Sequence, residues 1–280
     1  LSHSRRDNPQ SAATLPAKLR WALGAVRLTL QEPGDGFDRA FGRVRRLLTG
    51  ADSTGCAYEA DPQWEQHLHE RLGHPWPCEA TDEFDTLWSQ VTGSLEQQGL
   101  SVGRGTYGGW DDGDRGLARV VWCLTRHLPA ATVVETGVAR GITSRVILEA
   151  LERNGGGRLC SIDLPALDTS FHSEIGAAVP SELRANWTYV NGTSRSRLPA
   201  LLEELGEIDL FVHDSSHTAR NLRFELERAW GTLRRGAAVA DDIERNDAFG
   251  KFTRSRPEVP SFVAAADDSG AQFGIVLKGL

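Results

Sequence analysis

The chain has 280 residues, 40% hydrophobic and 25% charged, with a net charge of −7 at pH 7. That is enough apolar material for one large α/β domain or a core domain with an appendage, and the acidic balance argues against a sequence-independent nucleic-acid binder, which needs a basic face, while leaving room for a local basic groove. No stretch approaches the ~18 uncharged apolar residues of a membrane span, and the most apolar early stretch, Leu15–Leu30, carries Lys18, Arg20 and Arg27, so neither a membrane helix nor a secretory leader is expected. In chain order, residues 1–13 are polar and proline-containing and read as a disordered tail. From residue 14 to about 104 the apolar spacing is helical in short pieces: Leu15–Leu30, Phe37–Leu48, Pro62–Leu72 and Thr81–Leu100. Gly50–Gly55 and Pro75-Trp76-Pro77 read as connectors. Gly103–Gly113 reads as a glycine- and aromatic-rich loop, with Tyr107, Trp110 and Asp111–Asp114 as lid candidates, and Asp114 can cap a helix over Leu117–Leu128.

From Ala131 onward strands and helices alternate, which predicts an α/β fold with a mostly parallel sheet covered on both faces. The predicted strands are Thr132–Glu135, Arg158–Asp163, Trp187–Val190, Ile208–His213, Ala237–Asp241, Ser261–Ala265 and Gln272–Leu277. The last follows too short a link for a crossover helix, so it should run antiparallel to its neighbour. Ligands of such open sheets bind at the carboxyl ends of the strands. Residues 105–280 are thus expected to form the core, and residues 14–104 a cap, a lid or the contact surface of a homo-oligomer. The four cysteines (Cys56, Cys78, Cys123, Cys160) are far apart in sequence and show no Cys-x-x-Cys, which predicts reduced thiols in a cytoplasmic protein.

Val133-Val134-Glu135-Thr136-Gly137-Val138-Ala139-Arg140-Gly141 runs a β-branched strand into a glycine loop. A helix follows at once, with Ile142, Val146, Ile147, Ala150 and Leu151 on one face and a stop at Asn154-Gly155-Gly156-Gly157. Such a turn brings a nucleotide-like ligand against bare backbone at a helix N-terminus. Asp163, ending the next strand, stands where a ribose-binding acid is placed in a nucleotide-binding βαβ unit. A dinucleotide loop wants Gly-x-Gly-x-x-Gly, whereas here Ala139 puts a Cβ at the middle position and the third glycine is missing. Glu135 would repel a pyrophosphate and attract the cationic amino-acid end of S-adenosylmethionine. The methyl donor is therefore favoured over a nicotinamide.

Ile208–His213 delivers Asp214 to a strand end, and His217 follows three residues later, expected on the first turn of the next helix. Ala237–Ala240 brings Asp241 and Asp242 to the adjacent strand end, where both can face one ligand only if the strand has already ended. Three carboxylates converging without an obvious basic partner repel one another, and a hard cation relieves that. Oxygen ligands suit magnesium; zinc would want cysteine or more histidine, and neither is seen in a cluster. His217 can then take the proton of a hydroxyl bound to the metal. His213 is expected to point into the sheet packing.

The stretches Glu135-Thr136-Gly137-Val138-Ala139-Arg140-Gly141, Ser161-Ile162-Asp163, His213-Asp214-Ser215-Ser216-His217 and Ala240-Asp241-Asp242 together resemble class I S-adenosylmethionine-dependent methyltransferases. The branch most similar holds metal-dependent natural-product and sugar O-methyltransferases and cephalosporin hydroxylase-like proteins. The likeness covers roughly residues 105–280 and implies a Rossmann-like, seven-stranded sheet with an antiparallel last strand. It implies that Glu135, Gly137, Ala139 and Gly141 hold the methionine part of the donor, with Thr143 and Ser144 on the first helical turn, and that Asp163 binds the ribose. It also implies Asp214, Asp241 and Asp242 as magnesium ligands, with His217 as general base beside Asp214. The first acid of the pair is commonly Glu in the antibiotic-sugar enzymes, and here it is the shorter Asp241. The acceptor implied is a small hydroxylated molecule. The competing readings are a nicotinamide-dependent oxidoreductase, disfavoured by Ala139 and Glu135, and a non-catalytic module of the same fold.

Overall fold

The computed structural model describes residues 16–31, 33, 56–164, 166–266 and 270–280. The expected tail over 1–13, helix over Phe37–Leu48 and connector over Gly50–Gly55 lie outside the described residues. Among the described residues three helices precede the core: α1 (Ala17–Gln31), α2 (Trp64–Leu72) and α3 (Glu79–Gln97). Ala80, Phe84, Leu87, Val91 and Leu95 recur at helical spacing along α3 and are all buried. They pack on Trp122 and Cys123 of α4 (Arg115–His127) and on Ile142, Val146 and Ala150 of α5 (Ile142–Arg153). Asp114 caps α4 as expected, its Oδ1 accepting the Leu117 amide at 3.0 Å.

The segment expected as a loop over Gly103–Gly113 is instead an antiparallel hairpin, β1 (Gly103–Tyr107) and β2 (Trp110–Asp112). Gly108 and Gly109 turn it with φ of 61° and 88°, the left-handed backbone that two-residue hairpin turns require. The glycines masked the strands because they weaken alternation without preventing pairing.

Seven strands form the main sheet: β3 (Thr132–Thr136), β4 (Arg158–Asp163), β5 (Trp187–Asn191), β6 (Ile208–His213), β7 (Leu233–Ala240), β8 (Ser261–Ala265) and β9 (Gln272–Lys278). Their order is β5-β4-β3-β6-β7-β9-β8, parallel from β5 to β7, with β9 antiparallel to both β7 and β8. This is the expected Rossmann-like arrangement with the antiparallel terminal strand. Helices α6 (Ser194–Leu205), α7 (Ala219–Thr232) and α8 (Ala248–Arg254) complete the alternation. Strand β7 begins four residues before the expected Ala237, because Arg234 and Arg235 are exposed and break the apolar run while their backbone still pairs. It ends at Ala240, so Asp241 has left the strand.

Parallel registers align the strand ends: Thr136 is level with Ile162 of β4 and His213 of β6, and His213 with Ala240 of β7. The reversal of strand order falls between β4 on one side of β3 and β6 on the other, which opens a crevice at the carboxyl edge. No helix among the described residues is long and apolar enough to cross a membrane.

Candidate active site

Last rungs of the sheet ladder fix the residues at this edge. Gly137 donates its amide to the Ile162 carbonyl at 2.8 Å, Asp214 to Thr136 at 2.8 Å and Asp241 to His213 at 2.9 Å. Gly137 has φ of 90°, and a Cβ there would stand 1.9 Å from the Asp214 carbonyl oxygen. Only glycine lets the two strand ends approach this closely. Gly141, with φ of 79°, starts α5. Ala139 and Asp242 are the only non-glycine residues at positive φ among the described residues, 48° and 52°. Both fall among the residues singled out in the sequence, where strained backbone tends to collect.

Glu135 is buried, and its Oε2 accepts from the hydroxyls of Ser144 at 2.6 Å and Ser161 at 2.7 Å. Its Oε1 is buried without a hydrogen-bond partner. Burial pushes this carboxyl up to about 7, against two hydroxyl donors that favour the ionised form. Ser144 is thus occupied with orienting Glu135, while Thr143 is half-buried on the same helical turn. Asp163 accepts the Ala139 amide through Oδ2 at 3.2 Å, joining the glycine loop to the end of β4.

Tyr107, a lid candidate in the sequence, and Tyr189, which the residue pattern did not single out, stand beside this acid. The hydroxyls of Tyr107 and Tyr189 are buried without a partner, and burial followed by the Asp163 charge pushes both phenols well up. Trp187, two residues before Tyr189 on β5, donates to Ser161 at 2.9 Å. A cleft of about 370 Å³ opens here between Tyr189, Trp187, Arg184 and His172. The signal for Tyr189 was its place near the end of β5, which the apolar pattern alone could not distinguish from packing.

Arg140 is the other residue that sequence reasoning passed over. Buried in the glycine loop, it donates to Glu174 at 2.8 Å, Asp112 at 3.1 Å and the carbonyls of Ser101 at 2.7 Å and Thr106 at 2.9 Å. Its guanidinium also lies 5.5 Å from the Tyr107 ring centroid. One side chain therefore ties the β1–β2 hairpin and the turn at residues 169–174 to the glycine loop. Burial raises the Asp112 carboxyl, and the Arg140 charge opposes that.

The acids at the ends of β6 and β7 meet His217. Donor atoms of Asp214, His217 and Asp241 all lie within 4.8 Å of one another. His217 Nε2 is 3.9 Å from Asp214 Oδ1 and 3.4 Å from Asp242 Oδ2. His217 does not lie on the first turn of α7 as expected: Thr218 is the N-cap, and His217 belongs to the loop before it, tied by Asn246 Nδ2 donating to its carbonyl at 3.1 Å. Asp242 has the basic partner that the sequence reading lacked, Arg245 at 2.8 Å. Burial and the neighbouring acids push Asp214 and Asp241 well above the usual carboxylate range, and burial raises Asp242 to about 6 despite Arg245. Burial, followed by the neighbouring His213 and Arg245, drives His217 well down, which favours its neutral imidazole. Protons or a cation must offset this concentration of negative charge.

His213 is buried in the packing as expected, with Nδ1 2.5 Å from Glu225 Oε2. Glu225 also accepts from Thr136 at 2.5 Å, Ser215 at 2.8 Å and Asn221 at 2.7 Å. Burial would raise this carboxyl, but His213 and the hydroxyls of Ser194 and Thr136 bring it down to about 2. The network holds the loop after β6 from beneath. A larger cleft than the one beside Tyr189, about 480 Å³ with Arg195, Arg220, Arg223, Arg228 and Lys251 on its wall, is lined by none of the predicted site residues. Chemistry, not cleft size, locates the candidate centre at the carboxyl edge.

Residues 134–243 match the family model of a methyltransferase domain. No curated protein sequence matches the chain. Among solved structures, a Klebsiella pneumoniae protein assigned as an O-methyltransferase aligns with 14% identity over 78% of this chain and 96% of its own, with a TM-score of 0.51. The Bacillus cereus O-methyltransferase in complex with SAH aligns with 14% identity over 77% of this chain and 97% of its own, also at 0.51. Identities this low speak to fold alone, and the fold agrees with the strand order above. Residues 134–243 are thus similar to a methyltransferase domain, and the sheet around them has the fold of the two O-methyltransferase structures.

Proposed function

We propose that the chain moves a methyl group from S-adenosylmethionine to a hydroxyl of a small molecule, at the carboxyl edge between β3, β6 and β7. The observation that carries this reading is the meeting of Asp214, His217 and Asp241 within 4.8 Å, on the strand adjoining the glycine loop and on the next. S-adenosylmethionine supplies an electrophilic methyl on a sulfonium. Gly137, Ala139 and Gly141 give it a close backbone approach, Glu135 Oε1 offers an unpartnered buried acceptor for its ammonium, and Asp163 faces its ribose. Thr143 lies on the adjoining helical turn, and Ser144 keeps Glu135 in place.

The two carboxylates fit a hard divalent cation, because the crowding that raises Asp214 and Asp241 is what a cation relieves, and the neighbouring His217 imidazole stays free to take a proton. Asp214 and Asp241 would hold magnesium, and Asp242 would join them only by loosening Arg245. Magnesium bound there makes a nearby hydroxyl more acidic. His217, neutral and held beside Asp242, accepts the hydroxyl proton at Nε2 as the acceptor oxygen forms its bond to the methyl carbon and the carbon–sulfur bond breaks. The remaining contribution of the protein is to hold the reactants at attack distance. The acceptor class, a natural product or sugar hydroxyl, rests on the family resemblance. The four unpaired cysteines support a cytoplasmic setting.

Methyl transfer from labelled donor to a hydroxylated acceptor panel tests the reading. His217→Gln should slow transfer by about 10²–10⁴-fold, Asp214→Asn should also slow it, and chelation should abolish it until magnesium is restored. Wild-type rates in the His217 variant would remove the base, and indifference to chelation would remove the metal.

A further inference from the structure

Away from the sheet edge, His69, Cys78 and His127 meet where α2, the turn before α3 and the last turn of α4 come together. His69 Nε2 is 3.1 Å and His127 Nε2 3.4 Å from Cys78 Sγ, and the three donor atoms lie within 4.8 Å of one another. Donors on one tetrahedral zinc, with Zn–S near 2.3 Å and Zn–N near 2.0–2.1 Å, stand about 3.6 Å apart for a sulfur–nitrogen pair. Both sulfur–nitrogen separations are already within half an ångström of that figure.

The surroundings are those of a built site. His69 Nδ1 is 2.7 Å from the Glu65 carbonyl, which can only accept, so the proton is on Nδ1 and the Nε2 lone pair faces the sulfur. That backbone bond is the outer-shell contact which fixes tautomer and ring orientation in histidine metal sites. Glu65 is itself paired with Arg119 of α4, and the Thr81 hydroxyl lies 3.6 Å from the sulfur. Cys78 occupies the N-cap of α3 without making a capping bond, which leaves Sγ directed at the rings. The Trp76 and His74 rings cover the cluster, at 4.9 Å from His69 and 4.2 Å from His127.

We propose that His69, Cys78 and His127 bind one zinc-type divalent cation in tetrahedral geometry, with its fourth position open to water or His74. A thiolate and two imidazoles suit a borderline-soft cation and not magnesium, so this site is chemically distinct from the acids at the sheet edge. Its three ligands come from three segments, and a cation there staples the N-terminal helices to α4. The sequence reading set zinc aside because these residues are separated along the chain and only folding assembles them.

The test uses cobalt(II) on the full chain after chelator treatment. One equivalent should give thiolate-to-cobalt charge-transfer absorption and tetrahedral ligand-field bands, displaced by zinc. Cys78→Ser should lose the charge-transfer band, and His127→Gln should weaken binding at least ten-fold. On the wild-type chain, one equivalent of zinc should protect Cys78 from alkylation, as located by mass spectrometry, and raise Tm. A folded chain without the band at saturating cobalt, a band that survives Cys78→Ser, or alkylation of Cys78 unaffected by zinc would each overturn the proposal.

Discussion

Ala139 and Asp242 hold left-handed backbone without being glycine, and Gly137 holds it because nothing else fits. These residues show how close packing of strand ends shapes the candidate site. Gly137→Ala would drive a methyl into the Asp214 carbonyl and place an L-residue at φ of 90°. The backbone strain alone is about 1–3 kcal/mol. Urea unfolding should therefore show a loss of at least that size, together with weaker donor binding; a variant as stable as the parent would refute the packing argument. At this scale the chain was readable where chemistry follows local spacing. Asp163, Asp214, Asp241 and Asp242 could be placed at one sheet edge because acids after apolar runs mark strand ends, and His217 by its spacing from Asp214. Tyr189 and Arg140 could not, since a tyrosine in a strand and an arginine in a glycine loop have no local pattern that separates site from scaffold. Arg245 was missed for another reason: its pairing with Asp242 depends on a short 3₁₀ turn after β7 that the sequence does not announce.

The β1–β2 hairpin is a small element whose position depends on one side chain. Arg140 meets Asp112 at its end and two carbonyls along its first arm and flank. Removing one member of a buried ion pair leaves the other charged and desolvated, at a cost of roughly 3–5 kcal/mol. Arg140→Met should lose stability of that order. Adding Asp112→Asn should recover part of it, and a double-mutant cycle reads the coupling; strictly additive losses would show that the clamp is not a pair. Most elements were legible because amphipathic helices and buried parallel strands carry strong periodicity, as in the apolar run of β6 and the single buried face of α3. The hairpin was not, because Gly-Arg-Gly-Thr-Tyr has neither period, and its pairing comes from tertiary contacts.

Across the whole molecule, buried charge should govern how stability changes with pH. Asp214, Asp241, Asp242 and Glu135 all titrate above their ordinary range, Asp242 near 6 and Glu135 near 7. A carboxyl raised on folding stabilises the fold below its unfolded pKa, and that contribution disappears as pH rises through the folded value. His217, lowered on folding, acts in the opposite sense, but only below its ordinary 6.5. Between pH 6.5 and 8 the raised carboxyls and His67, raised by its bond to Asp61, act in the same sense, so Tm of the chelated chain should fall with rising pH. Magnesium should flatten that slope; a Tm that rises over this window would mean that the acids are not crowded as described. The central claim is that the glycine loop and Asp163 bind S-adenosylmethionine and not a dinucleotide. Calorimetric titration with S-adenosylhomocysteine and with NAD tests it most directly. One-site binding of S-adenosylhomocysteine, weakened at least ten-fold by Asp163→Ala, with no heat from NAD, is the predicted result. Binding of NAD without binding of S-adenosylhomocysteine would contradict it.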